Sequence, residues 1–169
     1  YNITFIKNNV IIDDYGHHPK EINATISAIK QEFPGKNLIV IYHPDRPKRL
    51  TMFLNEYKKV FSLSQTTYVL PFLNMDSEKK DALNKIIDNM KIFMFNESIY
   101  IKDYSNTVFL FTGSKDMKKL INNLIKSFNE QRDFGVITEG ADEFNSIIND
   151  YTKSLGLSES EQTKLAEKL

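Results

Sequence analysis

The ten residues "DDYGHHPKEI", at positions 13–22, combine acidic, aromatic and imidazole side chains in one short stretch. They include two aspartates, a glutamate and two of the three histidines of the chain, and they stand between an apolar run and an amphipathic segment. Asp14 could accept hydrogen bonds from ribose hydroxyls, and Tyr15 or either histidine could stack on a base. The alternative is a structural turn, in which one aspartate caps the backbone and the histidines only fill the loop.

The same stretch is a poor candidate for a metal site, because adjacent histidines point in different directions. The third histidine, His43, has no clear relation in spacing to the other two. The sequence has no cysteine, which excludes thiolate ligands, disulfides and cysteine nucleophiles. It contains neither a serine nucleophile elbow nor a G-x-x-x-x-G-K-[ST] phosphate loop. We therefore expect no metal site and no catalytic residue in this chain, and we expect that it does not hold a triphosphate by itself.

A second candidate group lies in "HPDRPKR", residues 43–49, which holds two of the three arginines of the chain. Arg46 and Arg49 are predicted to lie in a loop that follows a buried strand and faces the same cleft. A guanidinium binds carboxylate and phosphate oxygens through paired hydrogen bonds, so one of them could hold such a group. The alternative is a solvated helix N-terminus, although a basic residue there opposes the helix dipole.

The elements that must position these residues alternate between strands and helices. The stretch "ITFIKNNVIID" predicts two short strands around a turn at Asn8-Asn9. Pro19 suits the first position of a helix, which "Pro34-Gly35" ends. Further strands are predicted in "NLIVIY", "TTYVLPF", "KIFMF", "SIYI" and "TVFLF", and further helices at 50–61, 76–90 and 117–128.

This alternation predicts an α/β fold, a three-layer sandwich whose mostly parallel sheet has about six strands and an N-terminal hairpin. After residue 130 the alternation of strands and helices ends, since helices are predicted at 141–155 and from Ser158 with no strand between them. We therefore predict a domain at 1–130 and a C-terminal helical appendage at 131–169.

Open α/β sheets bind ligands at the carboxyl ends of their strands. Residues 14–18 should lie on that rim, beside a helix N-terminus whose free N–H groups favour anions.

The composition limits the partners of the chain. Its 169 residues carry 22 basic and 22 acidic side chains, so the net charge is zero and gives no argument for a nucleic-acid partner. No apolar run approaches the roughly 20 residues that span a bilayer, so we expect no membrane partner. The chain begins with Tyr1 in a predicted strand, and we expect it to be a piece of a larger, cytoplasmic protein.

The segment around residues 10–62 resembles the start of the C-terminal domain of Mur ligases. The resemblance rests on Asp-Tyr-Gly-His-His-Pro at 14–19, Glu-Ile at 21–22, the apolar strand at 37–42, and a Pro-x-Arg-x-x-Arg loop at 44–49, in that order and spacing. A weaker similarity lies in "VFLFTGSKDMKKL". Within the family, the string is most similar to that of the ligases that add L-alanine to UDP-N-acetylmuramate.

The resemblance implies a Rossmann-like domain of an ATP-dependent amide ligase of peptidoglycan synthesis. Such an enzyme has a domain for the UDP-sugar, a central domain for ATP and Mg²⁺, and this third domain, which closes over both. The expected substrates are UDP-N-acetylmuramate and an amino acid, with L-alanine the expected one, and the chain alone would be inactive. The implied cofactor-binding residues are Asp14 at the ATP ribose, with Tyr15, His17 and His18 near the nucleoside. The implied substrate-binding residues are Arg46 and Arg49.

Three features depart from the family pattern, all on the side expected to face the amino acid. Asp45 stands where the family usually has a histidine, and the segments "PFLNMDSEKK" and "TGSKD" replace the usual ones. They leave a second interpretation open, a repurposed Mur-like module with a nucleotide-sensing or assembly role and no catalysis. A third is a free-standing nucleotide-binding domain.

Overall fold

The computed structural model describes residues 1–72, 74–90, 93–94, 103–113, 116–134 and 160. Its strands and helices alternate along most of the chain, as the apolar periodicity predicts. The strands are β1 Asn2–Ile6, β2 Asn9–Asp14, β3 Asn37–His43, β4 Thr66–Val69, β5 Phe93–Met94 and β6 Thr107–Gly113. The helices are α1 Pro19–Glu32, α2 Pro47–Met52, α3 Leu54–Phe61, α4 Ser77–Met90 and α5 Lys118–Glu130.

The six strands form one sheet in the order β1-β2-β6-β3-β4-β5. Only the first pair is antiparallel, and every other neighbouring pair runs parallel. The predicted mostly parallel sheet of about six strands with an N-terminal hairpin is therefore confirmed. The hairpin turns at Lys7 and Asn8, where Lys7 adopts a φ of 52°, and Asn9 is already paired with Ile6. The turn thus lies one residue earlier than the sequence indicated.

The apolar residues of the parallel strands β2, β6 and β3 are buried on both faces, because helices cover the sheet on two sides, whereas β4 alternates between buried and partly exposed residues. Alternate strand residues contribute to two separate apolar clusters, as a period of two requires. The first lies under α1–α4 and includes Val10, Ile12, Val40, Leu110 and the inward residues Ile22, Ile26 and Ile29 of α1. The second lies under α5 and includes Ile11, Ile39, Phe109, Phe111, Leu124 and Phe128. The three-layer sandwich is therefore confirmed. Each fully buried Val, Leu, Ile or Phe side chain in these clusters contributes roughly 1.5–3 kcal/mol to the stability of the fold.

The segment after β3 differs from its prediction in two ways. A single helix was predicted there after a loop, but the chain forms α2 and α3, which are separated at Phe53 with a ψ of 30°. The first helix also begins earlier, at Pro47, because proline suits the first helical position. Arg49 therefore lies within α2 rather than in a loop, and Arg46 is the residue that precedes the helix.

Several sequence predictions fall outside the described residues. These are the strand "SIYI", part of the "TGS" turn, the helix at 141–155 and all of the final helix except residue 160, which is helical. The division into 1–130 and 131–169 therefore stays a prediction. Within the part of the chain that the structure describes, Phe134 is buried in the cluster under α5. No helix among the described residues is long and apolar enough to cross a membrane.

Candidate functional site

The carboxyl ends of three neighbouring strands form one rim of the sheet. Asp14 of β2 lies beside Thr112 of β6, and Gly113 of β6 lies beside His43 of β3. Gly113 has a φ of 143°, and a Cβ added there would overlap the carbonyl oxygen of His43. Only glycine therefore allows β6 to approach β3 this closely at the rim. The residues that follow β2 and β3, which carry the predicted site, begin at this edge.

Asp14 is half-buried and points toward α1. The hydroxyl of Thr25 on α1 donates a hydrogen bond to Asp14 Oδ2 at 2.6 Å. A carboxylate has about four acceptor positions, so this bond leaves capacity for a ligand hydroxyl. Gly16 is buried next to it, and a Cβ added there would lie 2.9 Å from Asp14 Oδ2. A glycine at this position therefore avoids a steric clash with the carboxylate of Asp14.

Asp13 lies on the opposite face of the same strand, because successive side chains of a strand alternate. Burial raises the pKa of Asp13 above its ordinary value, and the negative charge of Asp116 adds to the rise. Asp13 therefore belongs to the α5 side of the sheet, while Asp14 belongs to the α1 side. The two adjacent carboxylates do not form one constellation.

The loop of residues 15–18 is held by its backbone carbonyls. Thr112 Oγ1 donates to the carbonyl of Gly16, and Tyr57 OH donates to the carbonyl of His17 at 2.7 Å. The Nδ1 atom of His17 lies 3.3 Å from the carbonyl of Tyr15. The side chain of Tyr15 is 63% exposed, which makes it available for stacking. The loop thus has a firmly attached backbone and an exposed aromatic ring.

His18 is the N-cap of α1 and forms a capping box with Glu21. Its Nδ1 accepts from the backbone N–H of Lys20 at 3.3 Å, and its ring packs edge-on against Phe53 with centroids 4.7 Å apart. Glu21 Oε2 accepts from the backbone N–H groups of His18 and His17 at 3.0 and 3.1 Å. These bonds hold the pKa of Glu21 below its ordinary value. The helix N-terminus that was expected to offer free N–H groups to an anion is therefore capped by side chains of the chain itself.

Two buried tyrosines connect this loop to the helices after β3. Tyr42 on β3 and Tyr57 on α3 place their hydroxyl oxygens 3.1 Å apart. Burial raises the pKa of Tyr42 well above its ordinary value, and the neighbouring Tyr57 adds to the rise. Burial raises the pKa of Tyr57 as well, while the guanidinium of Arg49 opposes the rise in both. Both phenols are therefore neutral donors, and Arg49 lies within electrostatic range of them.

The two candidate arginines have different surroundings. Arg49 Nη1 donates to Asp45 Oδ2 at 2.7 Å, and its side chain is 23% exposed. Arg46 Nε lies 3.5 Å from the same oxygen, but its side chain is 73% exposed. Arg49 is thus held in an ion pair, whereas most of the Arg46 side chain is accessible to a ligand.

The donor set suits a nucleoside better than a metal ion. A carboxylate with spare acceptors, an exposed tyrosine and a partly exposed histidine can bind ribose hydroxyls and a base. Among the described residues there is no group of three His, Cys, Asp or Glu side chains that could hold a metal ion. These residues could therefore hold the ribose and base of a nucleotide, and the part of the chain that the structure describes offers no cluster of three such ligands for Mg²⁺.

Sequence reasoning missed the residues that hold this site in place. Thr25 and Thr112 carried no distinctive motif, and each is identified only by the three-dimensional contact. Tyr57 lies at helical spacing from other apolar residues, so it was read only as part of a buried face. A tyrosine in place of phenylalanine at a fully buried position is the one signal that could have indicated a hydrogen bond there.

Comparison with known proteins decides the family. The sequence model of the family described as "Mur ligase, glutamate ligase domain" matches residues 3–141, which is most of the chain. The chain belongs to the Mur ligase family. Its match begins in β1 of this Mur ligase domain and extends beyond α5, so it includes the whole rim. The family membership predicted from "DDYGHHP" is thereby confirmed.

Solved structures of Mur ligases are similar to this domain. UDP-N-acetylmuramate-alanine ligase from Thermotoga maritima matches 74% of this chain and 27% of its own, with 22% identity and a TM-score of 0.49. Murein peptide ligase from Psychrobacter arcticus 273-4 matches 79% of this chain and 29% of its own, with 13% identity and a TM-score of 0.52. At such identity the second likeness supports the fold alone. The Mur ligase domain thus spans less than a third of either protein.

Proposed function

We propose that this chain is the C-terminal domain of an ATP-dependent Mur-type amide ligase that adds an amino acid to UDP-N-acetylmuramate in peptidoglycan synthesis. The amino acid we propose is L-alanine, and the site of action is the cytoplasm. The observation that carries the proposal is the rim itself. In a chain of this family, the loop with Asp14, Tyr15 and His17 follows β2 and the arginines follow β3, and both strands end at the same edge of a mostly parallel sheet.

The nucleotide-facing part of the proposed site is the loop of residues 14–18. Asp14 accepts hydrogen bonds from the ribose hydroxyls at the carboxylate acceptor positions that the bond from Thr25 does not occupy. The exposed ring of Tyr15 lies against the nucleoside. His17 contributes a polar edge beside them. His18 supports the site from α1, because its Nδ1 is occupied by the helix cap while its ring contacts Phe53. We therefore rank Asp14 and His17 above His18 as direct contacts.

The substrate-facing part of the proposed site lies at the start of α2. Arg46 is the better candidate for direct contact, since its side chain is mostly exposed and its nearest carboxylate is 3.5 Å away. Its guanidinium can hold a carboxylate or phosphate oxygen through two hydrogen bonds. Arg49 acts mainly by holding Asp45, the residue that also faces Arg46. The pair thus presents one accessible and one anchored guanidinium.

The partners in this proposal are the N-terminal and central domains of the same protein. ATP and Mg²⁺ are bound largely by the central domain, since this chain contains no phosphate loop. When ATP is bound there, it supplies the phosphoryl group that activates the substrate carboxylate. The residues of this chain contact the nucleoside and the substrate as the domains close, and closure excludes water from the reacting groups. The isolated chain is therefore inactive.

The test is an ATP-dependent phosphate-release assay on the full-length protein, with UDP-N-acetylmuramate and one amino acid at a time. The expected result is release that requires both the sugar nucleotide and L-alanine. A second variant, in which Arg46 is replaced by Ala, should release phosphate slowly, because it lacks the exposed guanidinium of the substrate-facing part. Release that needs a different amino acid would replace L-alanine in the proposal. No release with any amino acid, from a folded protein that binds ATP, would contradict a ligase function.

A second function is favoured by one observation: the polar groups of the rim are partly used within the chain. Thr25 binds Asp14, the cap of α1 uses His18, and Asp45 binds Arg49. Such contacts suit a repurposed module with a nucleotide-sensing or assembly role. This second function would be supported if the full-length protein binds ATP without phosphate release and changes its oligomeric state when ATP is bound. The presence of a phosphate loop and a Mur-type central domain before Tyr1 would favour the ligase instead.

A further inference from the structure

The carbonyl of His17 is the end point of a hydrogen-bonded chain of two buried hydroxyls. Tyr57 OH donates to it at 2.7 Å, and Tyr42 OH lies 3.1 Å from Tyr57 OH and 3.4 Å from the same carbonyl. The two tyrosines are at most 1% exposed. Since Tyr42 lies on β3 and Tyr57 on α3, the contact attaches the loop to two elements that follow it by 25 and 40 residues.

Packing alone does not account for these hydroxyls. The rings of Tyr42, Tyr57 and Phe61 contact one another with centroids 5.1–5.7 Å apart, and phenylalanine at all three positions would preserve those contacts. A buried hydroxyl costs free energy unless it is hydrogen-bonded. The bond that Tyr57 makes outside the pair goes to the loop that carries the proposed nucleotide contacts. Its hydroxyl therefore acts on that loop rather than on the core.

We propose that Tyr57 is a positioning residue for the loop of residues 14–18, with the Tyr42 hydroxyl as a reserve donor to the same carbonyl. By holding His17 against α3, Tyr57 sets the place of the nucleotide-facing loop relative to the arginine-bearing helix α2. This inference rests on the proposed nucleotide role of the loop and deepens it. It connects the two parts of the site through a contact that neither ligand touches.

The reserve donor makes a specific prediction of non-additive effects. In Tyr57→Phe, the hydroxyl of Tyr42 needs to move only a few tenths of an ångström to bond the His17 carbonyl directly. That variant should weaken ATP binding about two- to fivefold, and Tyr42→Phe should weaken it less than about twofold. In the double variant the carbonyl loses both donors, so the loss should be about tenfold or more, which exceeds the product of the single effects.

The experiment uses the full-length protein, with ATP affinity measured by calorimetry and hydrogen exchange measured by mass spectrometry on peptides that cover residues 13–22. Tyr104→Phe is the matched control, since Tyr104 precedes β6 at the opposite end of the sheet. Thermal unfolding of each variant establishes that it is folded. Faster exchange in 13–22 for Tyr57→Phe, larger in the double variant and absent in Tyr104→Phe, is the expected result. In an active protein, the change should appear in the KM for ATP and leave kcat nearly unchanged.

Two outcomes have different meanings. Unchanged exchange in 13–22 for both Tyr57→Phe and the double variant would overturn the positioning role, whatever the protein catalyses. Faster exchange with unchanged ATP affinity would support the positioning role and contradict the nucleotide role of the loop. The failure of this inference and the failure of the proposed function are therefore distinguishable.

Discussion

Replacing Asp14 with Ala in the full-length protein should weaken ATP binding roughly 10- to 150-fold. A hydrogen bond to a charged group contributes about 1.5–3 kcal/mol, and each 1.4 kcal/mol corresponds to a factor of about ten. The substitution also removes the 2.6 Å bond that Thr25 donates to the same carboxylate, which should lower the free energy of unfolding by about 1.5–3 kcal/mol. Asp14→Asn keeps an acceptor for Thr25, so its stability should stay near that of the wild type while its ATP affinity falls.

Asp13→Asn is the control, because it neutralises the adjacent carboxylate on the opposite face of β2. The pKa of Asp13 is raised by burial and by Asp116, so its charged form is disfavoured in the folded state at neutral pH. The unfavourable contribution of this charge to the stability of the folded state is relieved as the pH falls through the raised pKa of Asp13. Asp13→Asn removes the contribution at all pH values. The control should therefore be at least as stable as the wild type and bind ATP equally well.

The assay is calorimetric ATP binding, with chemical denaturation of each variant in parallel. Unchanged ATP affinity in both Asp14 variants would refute the reasoning, because it would leave the carboxylate with only its structural bond to Thr25. An equal loss in Asp13→Asn would refute it as well, since the effect would then not depend on the face of the strand.

Three further predictions concern other parts of the rim. Arg46→Lys should raise KM about tenfold for the substrate that Arg46 contacts, because lysine lacks the planar pair of donors of a guanidinium. Full activity of this variant would indicate that Arg46 is only a solvated surface residue. Gly113→Ala should lower the free energy of unfolding by roughly 2–5 kcal/mol, measured by denaturation, since the φ of 143° and the His43 carbonyl both oppose a Cβ. Glu21→Gln should destabilise the protein at pH 7, and the difference should close as the pH falls through the lowered pKa of Glu21, because the wild type then loses the charge that stabilises the cap. A gap between Glu21→Gln and wild type that is constant with pH would contradict that explanation.

The centre of the sheet could be predicted from sequence because its strands β3 and β6 are buried on both faces. Continuous apolar runs such as "NLIVIY" and "TVFLF" have the length of strands, and they correspond to β3 and β6, which lie side by side. Pro19 marked the start of α1 correctly, since its missing N–H costs nothing there. These are local signals, and they need no knowledge of distant contacts. The separation of α2 from α3 at Phe53 carried no such signal.

The site was only partly predictable, because its organisation depends on contacts between distant residues. The sequence placed Asp14 and His17 on the rim, but it could not indicate that Thr25 binds one and that Tyr57 binds the carbonyl of the other. It also indicated a helix N-terminus open to anions, whereas His18 and Glu21 cap that terminus. A histidine is a rare N-cap compared with serine or aspartate, which is why the motif was not recognised as one.

The most direct test of the central claim is a crystal structure of the full-length protein with a non-hydrolysable ATP analogue. The account predicts that a carboxylate oxygen of Asp14 lies at hydrogen-bond distance from a ribose hydroxyl, with Tyr15 against the nucleoside and the Tyr57 contact to the loop retained. A bound nucleotide whose ribose lies beyond the reach of residues 14–18 would contradict the account, and the loop would then be a structural turn between β2 and α1.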